Sequence, residues 1–83
     1  MSFLIDAATK HQAGKLAEAS KLYNKYIEKN AESVEALSLF GLCMQDMGNY
    51  RHAETLFSIA LSADNTRFEL YQNRGITRLQ MGK

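Results

Sequence analysis

Two histidines, one cysteine and a Gly-Lys pair are the residues of this chain whose types could do chemistry. His11 and His52 could carry protons or bind a metal, Cys43 could serve as a thiolate, and Gly14-Lys15 could cradle a phosphate. Their spacing argues against each role. The histidines stand 41 residues apart, and no Cys-x2-Cys or His-Glu-x2-His pattern accompanies them. Gly14-Lys15 lacks both the preceding glycine and the following Ser or Thr of a phosphate loop. The residues therefore predict no catalytic centre, no metal site and no cofactor. Cys43 reads as a small core residue inside a helix, and His52 as an exposed residue near a helix start. Met44, Met47 and Met81 read as packing residues.

Composition narrows the remaining choices. Eighty-three residues make one small domain at most. Ten Lys and Arg against nine Asp and Glu leave the chain almost neutral, so nothing calls for nucleic acid or an anionic membrane as partner. The charge is uneven. Residues 34–67 carry two Arg and four acids, between ends that are weakly basic. A lone cysteine cannot form an internal disulfide, which fits a reducing compartment. The N-terminal stretch has no charged start followed by a long apolar core, and no run approaches the ~20 apolar residues of a membrane span. The expected location is cytoplasmic. Proline is absent, which suits continuous helices.

Five helices are expected to position these residues, each about 11–14 long, with no strand. The first covers about 3–12, with Ser2 as N-cap and Gly14 closing it. The second covers about 16–29, with Leu16, Ala19, Leu22, Tyr23, Tyr26 and Ile27 on one stripe and Asn30 ending it. The third follows the N-cap Ser33, carries Glu35 in its first turn, and buries Leu37, Phe40, Gly41, Met44 and Met47 before Gly48. The fourth follows Asn49 and buries Tyr50, Ala53, Leu56, Phe57, Ala60 and Leu61 until Asp64-Asn65. The fifth opens on Thr66-Arg67-Phe68-Glu69, a capping-box pattern, and runs through Tyr71, Gly75 and Leu79 to Gly82. Short connections predict that consecutive helices are antiparallel neighbours.

The turns themselves are periodic. Gly14-Lys15, Gly48-Asn49 and Gly82-Lys83 are 34 residues apart both times. Shifting the chain by that interval lays Ala19-x3-Tyr23 on Ala53-x3-Phe57, Phe3 on Leu37 on Tyr71, and Ala7 on Gly41 on Gly75. The small residues at Ala7, Gly41 and Gly75 would allow close helix approach, and the aromatics at Tyr23 and Phe57 would fill the space between units. A fixed period of this size marks a helical repeat.

On these residues the chain resembles the tetratricopeptide repeat family along essentially its whole length. The second repeat matches best, through Leu37, Phe40-Gly41, Met44, Gly48, Tyr50, Ala53, Phe57 and Ala60. The third matches at Tyr71, Gly75 and Gly82. The first departs at Asp6 and Lys10, where the family carries Leu and Tyr, so its first helix reads as an end cap with one wet face. Ala31 and Asn65 replace the family's closing proline. The resemblance implies an all-α, right-handed solenoid of antiparallel helix pairs, with repeats at 1–33, 34–67 and 68–83. The last of these is partial and reads as cut short. Marginal stability, or self-association through residues 68–82, is expected.

The resemblance also implies a concave groove lined by the first helix of each repeat. Carried over, its positions are Leu4, Ala8, His11 and Gln12, then Glu35, Ser38, Leu42, Gln45 and Asp46, then Glu69, Gln72, Ile76, Leu79 and Gln80. Such a groove would hold a protein or peptide segment by apolar contact along Ala8, Leu42 and Ile76 and by amide and acid hydrogen bonds. The competing reading leaves these as ordinary solvent-facing residues, with Leu42 and Ile76 packed internally. The carboxylate clamp of the chaperone-tail binders would fall on Leu4, Ala8, Leu39, Glu69 and Asn73, which include no cation, so that role is rejected. Arg74 and Arg78, one turn apart, could draw an acidic segment or serve as interface charge. The expected function is a non-catalytic interaction scaffold. The alternatives are the docking repeats at the N-terminus of a larger enzyme, such as a glycosyltransferase, and a self-associating structural repeat.

Overall fold

A computed structural model of the chain describes residues 3–82. They form five helices and, among the described residues, no strand: α1 (Phe3–Gln12), α2 (Leu16–Lys29), α3 (Val34–Asp46), α4 (Tyr50–Ala63) and α5 (Phe68–Met81). Each helix packs against the next in the chain, and α3 also touches both α1 and α5. No helix among the described residues is long and apolar enough to cross a membrane. The expected N-cap Ser2 lies outside the described residues.

Two of the three glycine turns have the geometry that only glycine takes readily. Gly14 and Gly48 sit at φ +80° and +81°, and each closes its helix with a reciprocal pair of backbone bonds. Lys15 N donates to Lys10 O at 2.9 Å and Gly14 N to His11 O at 3.0 Å; Asn49 N donates to Met44 O at 2.8 Å and Gly48 N to Gln45 O at 3.0 Å. Gly82 differs. At φ −78° it keeps helical geometry, its amide still bonded to Arg78 O at 3.0 Å.

The helix starts follow the sequence unevenly. Ser33 caps α3 as expected, its hydroxyl accepting from Ala36 N at 3.2 Å. The capping box expected at Thr66 does not form. Arg67 occupies the N-cap position of α5 and makes no side-chain capping bond. Asp64 takes Thr66 instead, accepting from its amide at 3.0 Å and its hydroxyl at 2.6 Å. The Asp64 carboxylate, two residues back, is within reach of both Thr66 donors and fixes Thr66 in the turn before the helix, one position short of the N-cap. Glu69 pairs with Arg67 at 3.6 Å.

The core draws on all five helices. Ala7, Ala19, Tyr23, Leu37, Phe40, Cys43, Met44, Ala53, Leu56, Phe57, Ala60, Leu61 and Leu70 form one buried cluster. Gly41 shows why a small residue stands at its position. A Cβ there would lie 2.5 Å from a Phe57 ring carbon, closer than carbon atoms can approach. Met47 was expected on this inner stripe but is exposed, because α3 ends at Asp46 and Met47 becomes the capping residue that leads into the Gly48 turn. Tyr71 and Gly75, the α5 counterparts of buried Leu37 and Gly41, are exposed as well.

Candidate functional site

The two histidines turn out to be the ends of one ladder of rings. His11 meets Tyr23 edge-on at 6.0 Å between ring centres, Tyr23 stacks on Phe40 at 5.7 Å, and Phe40 meets His52 at 5.4 Å. The ladder crosses four helices, one ring from each. It packs because Tyr23 and Phe40 are each buried on the apolar stripe of their own helix. The sequence separation of the histidines concealed this relation.

At the His11 end the polar atoms converge. Nδ1 of His11 lies 3.1 Å from the Tyr23 hydroxyl and Nε2 lies 2.8 Å from a carboxylate oxygen of Asp46. A carboxylate only accepts, so in a neutral ring Asp46 holds the proton on Nε2 and Nδ1 accepts from Tyr23. Burial first, and the charge of the Cys43 thiolate second, push the Tyr23 phenol up to about 12. The Cys43 thiol is also raised, by burial and then by Asp46, and its Sγ donates to Leu16 O at 3.6 Å. Both shifts run against a nucleophile, which needs its anion near neutral pH. The arrangement can orient an imidazole and present hydrogen-bonding atoms. Its phenol and thiol are both held in their neutral forms. Among the described residues no three His, Cys, Asp or Glu side chains are placed to hold a metal ion together.

This cluster lines a hollow of about 350 Å³ together with Ala8, Gln12 and Leu39. Four of the expected groove residues, Ala8, His11, Gln12 and Asp46, are therefore brought together between α1 and α3. Gln72 and Ile76 line a different hollow of about 660 Å³ on α5, with Tyr71, Asn73, Gly75 and Leu79. The residues between are more engaged with the fold. Leu4 and Leu42 are half-buried against the core, and the Ser38 hydroxyl donates to Val34 O at 2.7 Å. Gln45 and Gln80 are half-buried, while Glu35 and Glu69 are exposed. Tyr23 and Leu39 were missed as lining residues. A signal existed for the His11–Asp46 pair: their separation is one residue more than the repeat interval, which sets them on neighbouring first helices.

Arg74 and Arg78 face α4 and are interface charges. Arg78 pairs with Glu54, and Arg74 donates to the Ser58 hydroxyl at 3.4 Å while lying 5.8 Å from the Tyr71 ring centre. No protein-family model matches this sequence, and no curated protein matches it.

Proposed function

We propose that this chain is a non-catalytic protein–protein interaction scaffold of the tetratricopeptide type, a helix-pair solenoid that holds an extended or helical peptide segment along α1, α3 and α5. The hollow between α1 and α3 carries this reading: it sets apolar Ala8 and Leu39 beside polar His11, Gln12 and Asp46, and the His11 ring is fixed between the Tyr23 hydroxyl and the Asp46 carboxylate. Preorganised polar groups beside a small apolar surface suit recognition of a backbone and one side chain. The repeat register lends further support. Gly14 and Gly48 share one turn geometry, and α3 touches both neighbouring first helices.

A displayed peptide library selected on the chain provides the test. Peptides enriched on the wild type should bind at least tenfold more weakly to Gln12→Glu and Asp46→Lys variants whose circular dichroism is unchanged. Equal binding to both variants would sink the groove reading.

A further inference from the structure

The face of α5 turned away from the core is apolar. Leu70 and Thr77 point inward and are buried. Opposite them Phe68 is 70% exposed, Tyr71 45%, Ile76 48% and Leu79 71%. A helix apolar on two opposite faces ordinarily has both covered. On the other first helices this face is covered. Gly41 receives the Phe57 ring, and Ala7 at the same register position is buried in the core cluster with Tyr23. A Cβ at Gly75 would meet nothing within 4 Å. The position therefore faces open space, in a hollow of about 660 Å³ that Gly75 lines with Tyr71, Ile76 and Leu79, where its counterpart Gly41 carries an aromatic ring; this open position is the socket.

We propose that the socket is filled by Tyr71 of a second copy, in an antiparallel pair of α5 helices crossing near residues 73–74. Phe68, Tyr71, Gly75 and Leu79 are spaced three, four and four apart, which sets them along one face of the helix. Reversing one helix about that crossing sets Tyr71 against Gly75 of the other copy and Phe68 against Leu79, each pair occurring twice. One helix thus supplies both knob and hole, which a twofold interface requires. The covered position at Gly41 meets an aromatic ring, so a ring is the chemistry expected of the occupant. Taking roughly 200 Å² for a fully exposed large side chain, the four exposed residues offer about 470 Å² per copy. The pair then buries about 900 Å², the size of weak, reversible complexes. This proposal does not rest on the groove reading.

Sedimentation equilibrium from 10 µM to 1 mM tests it, on the wild type, Leu79→Glu and Gly75→Ala. The wild type should show a monomer–dimer equilibrium with a dissociation constant of order 100 µM. Leu79→Glu should weaken it at least tenfold with helicity kept, since Leu79 makes its contacts only in the dimer. Gly75→Ala should raise the melting temperature of the monomer and still weaken the dimer, because the added methyl occupies the socket. Wild type that stays monomeric at 1 mM overturns the proposal, as does a dimer indifferent to Leu79→Glu. A monomer that binds a helical peptide of residues 50–63 in place of itself also overturns it, and would assign the socket to a foreign helix.

Discussion

Gly41 and Gly75 occupy one register position 34 residues apart, yet one has no room for a methyl group and the other faces open space. The backbone around both is regular helix. What differs is whether an aromatic ring from another helix lies across it. The same residue thus reports packing at one site and vacancy at the other. Closeness of approach here is set by the neighbour, not by the glycine.

The rings themselves should break the symmetry most. Phe57 is fully buried and Phe68 is mostly exposed. Phe57→Ala should cost about 3–5 kcal/mol, the loss of a large core side chain and the cavity it leaves. Phe68→Ala should change dilute monomer stability by less than about 0.5 kcal/mol. Urea unfolding at micromolar concentration reads both. In so small a chain the first value consumes much of the total stability, so partial unfolding of Phe57→Ala at room temperature is the expected outcome.

The glycines come next and should move in opposite directions. Gly41→Ala forces the Phe57 ring aside and should destabilise by about 1–3 kcal/mol. Gly75→Ala adds a methyl in open space within a helix and should stabilise by about 0.5–1 kcal/mol. Melting temperatures of the two variants, measured side by side, should fall on either side of the wild type. Shifts of the same sign would mean that Gly75 is not open in solution.

Tyr23 sharpens the picture on the packed side. Tyr23→Phe keeps the ring ladder and removes only the bond to His11 Nδ1, which should cost about 0.5–1.5 kcal/mol. The pH dependence is more specific. The folded phenol titrates at about 12 against an ordinary value of 10.0. The raised value means that its contribution is fully present below pH 10 and is lost as pH climbs toward 12. Urea midpoints of the wild type should therefore fall more steeply over that range than those of Tyr23→Phe.

The helices were legible in the sequence because each rests on local signals. Leu16 and Lys29 bound α2 as the apolar stripe predicts, Ser33 caps α3, and Gly14 and Gly48 turn as their type demands. The 34-residue register also marked Gly41 correctly as a point of close approach. What depended on competition between partners was less visible. Thr66 and Glu69 spell a capping box, but Asp64 binds Thr66 in the preceding turn and the helix starts one residue later, with Arg67 at the N-cap. The exposure of Met47 depended on whether α3 stops one residue sooner. The His11–Tyr23–Asp46 cluster required three helices to meet, which no spacing within one helix encodes.

The starts of α3 and α5 extend the same contrast to the smallest expected effect. Ser33 caps with a neutral hydroxyl, a bond that acid leaves intact, so the α3 start should respond less to acid than the α5 start. The α5 start depends on Asp64, whose carboxyl is held below its ordinary value, first by the Thr66 hydroxyl, then by the Thr66 amide, and further by Arg67 at 3.3 Å. A depressed folded value means that the stabilisation is present above the ordinary carboxyl range and is lost as pH falls through the folded value. Protonation weakens the carboxylate as an acceptor for Thr66 and removes the charge facing Arg67, while the Ser33 bond is untouched. Amide exchange at residues 66–70, followed by NMR from pH 5 downward, should therefore rise before exchange at residues 34–38. Asp64→Asn should keep the turn through its side-chain carbonyl and remove this acid response. Equal acid sensitivity at the two helix starts would show that the Asp64 turn does not hold α5.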